Sequence, residues 1–242
     1  MLVAGCAAGP GRPAAPREAI VAARVEPPAI TRELHVSCAD RGACPDGVGL
    51  LVRPTDPEAQ RCTAVLVAPD RALTASHCLA PGSRHAGAAC DDAWIAFPSS
   101  GGEPAEWVGY ERVIEAHDVT DEAVLRPDVA LLLLRRALTR TTYPIDPRPP
   151  EPGSIVSVIA VRPNPIYPRY HELSQRLCRV ATRESAVETF GDEAARVGWL
   201  MDCPSYPGNS GSPVLDARGR VRSLLHGGSA AHHAIGITST VD

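Results

Sequence analysis

Short apolar runs alternate with turn-forming Gly, Pro and Asp residues along most of the chain. Many short strands with this punctuation are typical of an all-β barrel or sandwich. The most helix-like segment, around residues 184–197, is short and interrupted by Gly191, so we expect little helix. The predicted strands cover residues 48–52, 63–67, 94–97, 129–134, 155–161, 214–215 and 221–225.

Two stretches without such runs divide the chain. Residues 1–33 are rich in Ala, Pro, Gly and Arg, which predicts a flexible leader or tether. Residues 141–153 carry five prolines, which stiffen the chain and cannot donate to a β-ladder, so this stretch is interpreted as a linker. We therefore expect two globular halves, over residues 34–145 and 146–242.

Length and charge exclude several classes of protein. The 242 residues suffice for one large all-β domain or two small ones. The 24 basic and 28 acidic residues are scattered and leave a net charge of −4, so no basic stripe predicts a nucleic-acid partner. No apolar stretch reaches the roughly 18 residues that a membrane-spanning helix needs.

The cysteines indicate the compartment. The chain has eight of them and no CxxC pair, a pattern that favours disulfides in an oxidising environment over a zinc site. We therefore expect an extracytoplasmic protein, either secreted or held in the cell envelope.

The first residues, Met1-Leu2-Val3-Ala4-Gly5-Cys6, resemble the cleavage box of a bacterial lipoprotein signal peptide. The charged and apolar regions that should precede such a box are missing. Two interpretations stay open. The start codon is assigned too late and Cys6 carries a lipid anchor, or Cys6 is a cysteine near a flexible terminus.

A histidine lies at the end of a predicted hairpin. Residues 62–78, CTAVLVAPDRALTASHC, predict a strand, a turn at Pro69-Asp70, a second strand and a helical turn that carries His77. Cys62 and Cys78 flank this hairpin, so a disulfide between them would fix the loop. A general base needs such a fixed position, because proton transfer works only within hydrogen-bond reach.

An aspartate opens the most apolar predicted strand. Asp128 is followed by VALLLL, so its carboxylate should be partly buried, which is costly unless the group is hydrogen-bonded. An imidazole N–H would satisfy it and be oriented in return. On this segment alone, an Asp that merely begins a strand at a turn is an equally good interpretation.

The third motif is a loop of small residues, PGNSGSPV, around Ser210. Its glycines allow a sharp turn, and the N–H groups of Gly208 and Ser210 can converge on an oxyanion that develops in a transition state. Taken alone, this motif is also typical of a surface turn.

Together, TASHC, DVALLLL and GNSGSP resemble the signature of the chymotrypsin-like (trypsin-like) serine peptidases over roughly residues 45–240. The chain order His, Asp, Ser differs from that of the α/β-hydrolases. The resemblance implies two six-stranded antiparallel β-barrels with the active site between them. It also implies a monomeric endopeptidase that acts on protein or peptide substrates without a cofactor or metal.

The resemblance implies roles for individual residues. Ser210 would attack the peptide carbonyl, His77 would move the proton, and Asp128 would orient His77. Gly208 and Ser210 would form the oxyanion hole. A catalytically silent homologue that serves as an envelope binding module is the alternative, because folds outlive their chemistry. A lipid-anchored envelope protein in which cleavage is incidental is a third hypothesis.

Departures from the animal enzymes indicate which branch of the chymotrypsin-like peptidases the sequence resembles. Asn209 is uncharged where animal zymogens carry an Asp, and Pro204 stands where tryptic specificity needs an Asp. The pattern looks like the bacterial glutamyl-endopeptidase-like branch, in which a pocket for an acidic side chain would use Ser205, His226 and Gly227. Leu224 replaces a Gly of that pattern, and a pocket histidine without this role is the alternative interpretation.

The remaining cysteines and histidines give weaker expectations. We expect Cys178 and Cys203 to tie the strand after the linker to the Ser210 loop, and Cys38 and Cys44 to close a small loop, although connectivity cannot be fixed from sequence. Cys90 is left over if Cys6 is lipidated. No ligand spacing, and hence no metal site, is predicted for the other histidines, which are His35, His85, His117, His171, His232 and His233.

Overall fold

A computed structural model of the chain describes residues 34–38, 44–53, 61–89, 93–98, 105–117, 128–163, 166, 170–191, 198–229 and 234–239. Two 3₁₀ turns, Ser76–Cys78 and Pro81–Ser83, and helix α1 (Arg183–Phe190) accompany the strands. The strands are β1 (His35–Cys38), β2 (Val48–Val52), β3 (Cys62–Ala68), β4 (Arg71–Thr74), β5 (Trp94–Phe97), β6 (Glu106–Ala116), β7 (Ala130–Leu134), β8 (Ile155–Pro163), β9 (Tyr170–Val180), β10 (Gly198–Met201), β11 (Pro213–Leu215), β12 (Val221–Ser229) and β13 (Ala234–Ser239).

The first six strands after β1 close into an antiparallel barrel in the order β2-β3-β4-β7-β6-β5. Strand β2 is buried along its whole length because both of its faces pack. Leu51 points into the barrel core, whereas Leu50 and Val52 belong to an apolar cluster that also contains Ile159 and Leu215 of the second half. The two halves therefore share a continuous apolar contact.

The second half forms another ring of six strands. The order is β9-β10-β13-β12-β11-β8, and the pairing of β8 with β9 closes it. Its core holds Val156, Val158, Leu200, Val214 and Leu225. Strand β1 adds to the edge of β9 in parallel. The prediction of an all-β protein with two six-stranded antiparallel barrels is confirmed.

The predicted strands are present, and so is the helix-like segment in its first part. Helix α1 begins after Thr182, whose side chain accepts a hydrogen bond from the Ser185 N–H, and ends at Gly191 with φ of +81°. Residues 192–197 lie outside the described part of the chain. Strands β1, β6, β9, β10 and β13 were not predicted from the sequence.

The proline-rich stretch is held firmly against the second barrel. Ile145 pairs in parallel with Val221. Asp146 is buried and forms ion pairs with Arg148 at 2.7 Å and Arg220 at 2.8 Å. Hydrogen bonds from Arg148 and the charges of both arginines hold the pKa of Asp146 well below its usual range. The connection between the barrels is thus fixed by charge as well as by its prolines.

The division into residues 34–145 and 146–242 stays a prediction, and β1 lies in the first of these ranges while it pairs with the second barrel. The predicted leader and Cys6 fall outside the described residues, as do Cys90, His232 and His233. Within the part of the chain that the structure describes, no helix has the length and hydropathy needed to cross a membrane.

Candidate active site

His77 lies in the 3₁₀ turn that directly follows β4, at the end of the predicted hairpin. The Cys62–Cys78 disulfide ties this turn to the first residue of β3. On its other side, Arg84 donates from Nη2 to the His77 carbonyl and from Nε to the Leu79 carbonyl, each at 3.1 Å. The backbone around His77 is therefore fixed from two directions, while its side chain keeps 22% exposure.

Asp128 receives two hydrogen bonds from His77. The backbone N–H of His77 donates to Oδ1 at 2.9 Å, and the ring Nδ1 donates to Oδ2. Because an ionised carboxylate only accepts, Nδ1 of His77 carries a proton, and in a neutral imidazole Nε2 is then the acceptor. Burial alone would raise the pKa of Asp128, but the hydrogen bonds and charge of His77 outweigh burial and lower that pKa. Asp128 thus stays ionised while almost fully buried.

The loop that carries Ser210 consists of two consecutive turns. The Asn209 N–H donates to the Tyr206 carbonyl at 3.1 Å, and the Ser212 N–H donates to the Asn209 carbonyl at 3.0 Å. Gly208, with φ of +100°, and Gly211, with φ of +82°, occupy the third positions, where a type II turn needs a positive φ. The glycines in this motif are therefore required by the backbone conformation.

Thr63 on β3 connects this loop to the first barrel. Its N–H donates to the Ser210 carbonyl at 2.7 Å, and its hydroxyl donates to the Gly208 carbonyl at 2.8 Å. A Cβ on Gly211 would lie only 2.1 Å from the Thr63 carbonyl oxygen and 3.0 Å from the Ala75 nitrogen. Since Ala75 begins the turn of His77, the Ser210 loop packs directly against the segment that holds the histidine.

In Gly208 and Ser210, the carbonyl groups are hydrogen-bonded to other described residues, whereas the N–H groups predicted for the oxyanion hole are not. Thr63 binds the carbonyls of Gly208 and Ser210, as described above. The hydrogen bonds among the described residues give neither of the two N–H groups an acceptor.

The predicted specificity residues lie in two places. His226, on β12, lies close enough to His77 and Asp128 that their charges affect its pKa. Burial lowers the pKa of His226, the charge of Asp128 opposes this, and the charge of His77 adds to it. Its Nε2 is buried without a hydrogen-bond partner among the described residues. Gly227 follows at a register shift of β12, and Ser205 is exposed in the loop before Ser210.

The cysteines do not form a metal centre in the described part of the chain. Donor atoms of Cys62, His77 and Cys78 lie within 4.8 Å of one another. The two sulfur atoms are bonded to each other, however, and so cannot act as thiolate ligands. The other described cysteines form the disulfides Cys38–Cys44 and Cys178–Cys203.

The part that Thr63 and Arg84 play around the site was not predicted, because both resemble ordinary strand or loop residues. Asn209 was notable in the sequence only for its lack of charge. Asn209 is 1% exposed, its Nδ2 donates to the Val161 carbonyl at 2.8 Å, and its Oδ1 accepts from the Tyr206 N–H at 3.0 Å. Its position inside GNSGSP was the one local signal.

Comparisons with known proteins agree with this architecture. A family model described as the trypsin-like peptidase domain matches residues 62–223, which is more than half of the chain. Among solved structures, the scabies mite inactivated protease paralogue S-D1 is similar with a TM-score of 0.58 and 18% identity, over 81% of this chain and 86% of that one. At this identity the likeness shows the fold alone. No curated protein matches the sequence.

Proposed function

The chain belongs to the family of trypsin-like peptidase domains, and from this premise we propose that it is a serine endopeptidase with His77, Asp128 and Ser210 as its triad. The observation that carries the proposal is the double hydrogen bond from His77 to the buried Asp128. This arrangement leaves Nε2 of His77 as a base beside the loop of Ser210. The proposal explains why a carboxylate is buried just before β7.

In the proposed reaction, Ser210 Oγ attacks the carbonyl carbon of a peptide while His77 Nε2 takes the hydroxyl proton. The N–H groups of Gly208 and Ser210 stabilise the negative charge on the carbonyl oxygen. His77 then gives its proton to the leaving amine, and the C–N bond breaks. Water hydrolyses the acyl-enzyme by the same steps, with His77 again accepting and returning the proton.

For substrate preference, we infer that the enzyme cleaves after acidic residues. The buried Nε2 of His226 has no partner among the described residues, and a substrate carboxylate would provide one. Ser205 and Gly227 are the accompanying polar groups in this proposal. Leu224 does not oppose it, because its side chain is fully buried in the apolar cluster between the barrels. Pro204, by contrast, provides no charge for an Arg or Lys side chain.

The proposed activity is tested with a fluorophosphonate probe and a fluorescent casein substrate. The wild type should react and cleave, and Ser210→Ala should do neither while its circular dichroism spectrum is unchanged. Ser212→Ala is the matched control, because Ser212 is a buried serine of the same loop. It should keep both activities. A folded wild type that neither reacts nor cleaves would instead favour the silent homologue.

The specificity is tested separately with a peptide library. We expect Glu or Asp before the cleaved bond, and His226→Asn should reduce kcat/KM for these peptides by about 10- to 100-fold relative to uncharged ones. Cleavage by the wild type without an acidic preference would refute the pocket and leave the proposed triad untouched.

We also propose that the protein is a monomer located outside the cytoplasm, either secreted or anchored through a lipid on Cys6. The three disulfides among the described residues support an oxidising compartment. Membrane fractionation of the full-length precursor and of its Cys6→Ala variant tests the anchor. Equal partitioning of the two proteins would exclude a lipid on Cys6.

A further inference from the structure

Arg176 is a half-buried cation beside the Ser210 loop. It lies on β9, and no carboxylate among the described residues forms an ion pair with it. Burial lowers its pKa, the nearby Tyr206 opposes this, and the charge of Arg162 on β8 adds to it. Burying a cation is energetically costly unless the cation is paired or hydrogen-bonded.

The guanidinium of Arg176 reaches the loop through one contact. Its Nη2 donates to Oδ1 of Asn209 at 3.0 Å. The same oxygen accepts from the Tyr206 N–H, while the Asn209 amide group donates to the Val161 carbonyl. Asn209 therefore links β8 and β9 to the loop, and it stands directly between Gly208 and Ser210.

We propose that Arg176 is a positioning residue that acts through Asn209 to hold the N–H groups of Gly208 and Ser210 in their oxyanion-binding arrangement. This inference rests on the proposed function. Arginine keeps its charge at any physiological pH. The hydrogen bond from Arg176 to Asn209 is consequently kept over a wide pH range.

The first expected result concerns Arg176→Met, which keeps an apolar stem of similar length and removes the donor. Without it, Asn209 is held less firmly, and the oxyanion donors lose their alignment. We expect kcat to fall by about 10- to 100-fold, which is less than the loss of a whole oxyanion donor, with KM little changed. Arg179→Ala is the matched control, because Arg179 lies on the same strand and is exposed.

The second expected result concerns pH. Arg176→Lys restores a cation, but a half-buried ammonium near Arg162 should lose its proton below the usual pKa of about 10.4. The neutral amine is a weaker donor to Asn209 than the ammonium, so the activity of this variant should fall on the alkaline side, between about pH 8 and pH 10, where the wild type keeps its activity. A purely structural role for Arg176 would not create this alkaline limb.

The experiment measures kcat and KM for peptide cleavage and the second-order rate of fluorophosphonate labelling for the wild type and the three variants between about pH 6 and pH 10, with melting temperatures as the folding check. Slow labelling of folded Arg176→Met and an alkaline limb in Arg176→Lys support the inference, and the limb alone suffices if the Met variant does not fold. Wild-type rates in both variants overturn it. A wild type that does not react overturns the proposed function, and this inference with it.

Discussion

Replacing Gly211 by alanine tests how tightly the Ser210 loop is packed between the barrels. The residue has φ of +82°, a conformation that costs an alanine about 1–2 kcal/mol. The new Cβ would lie 2.1 Å from the Thr63 carbonyl oxygen and 2.6 Å from the Thr74 hydroxyl, so the loop must also shift. Overpacking of this kind costs about 1–3 kcal/mol. The free energy of unfolding should therefore fall by about 2–5 kcal/mol.

Gly219→Ala is the matched control for this prediction. Gly219 has φ of +73°, but nothing lies within 4 Å of the position of a Cβ. It should therefore lose only the conformational cost, about 1–2 kcal/mol. Thermal unfolding followed by circular dichroism should show a drop in Tm of about 10 °C for Gly211→Ala and about 4 °C for Gly219→Ala. Equal drops would refute the close approach of the loop to Thr63.

Three further outcomes are expected. Asp128→Asn should lower kcat by about 10⁴-fold with little change in KM, because the amide favours the wrong His77 tautomer, and steady-state kinetics will show whether KM changes instead. Replacing Cys62 and Cys78 together by serine should lower the free energy of unfolding by about 3 kcal/mol in urea titrations, and an unchanged midpoint would mean that the hairpin is fixed without the disulfide. Burial opposes the lowered pKa of Asp216, but its hydrogen bonds with Arg220 bring that pKa to about 2. The stability that Asp216 contributes is therefore complete above its ordinary pKa of 3.8 and is lost as the pH falls towards 2, so the stability gap between wild type and Asp216→Asn should close over that range.

The parts of the fold that the sequence predicts are those with local signals. The hairpin before His77 combines two apolar runs with a Pro-Asp turn, and its strands and 3₁₀ turn appear where expected. Strand β9 was missed because it is half exposed. Its buried residues alternate with charged and polar ones such as Glu172, Arg176 and Arg179, and an alternation of this kind is weak in a long sequence.

The same distinction between local signals and long-range contacts holds for the candidate active site. The segments around His77, Asp128 and Ser210 each carry a local motif, whereas the contacts that hold them together do not. Thr63 bonds to Gly208 across a separation of 145 residues. Such pairings depend on how the two barrels pack, and a single sequence gives no pattern that joins them. The same reason hides the contact of Arg176 with Asn209.

The most direct test of the proposed triad is to locate the covalent adduct of a fluorophosphonate on the wild-type protein by peptide mapping and mass spectrometry. We expect a single adduct, on the Ser210 hydroxyl. An adduct on another residue, or a folded protein that forms none, would contradict the proposal that Ser210 is the nucleophile activated by His77 and Asp128.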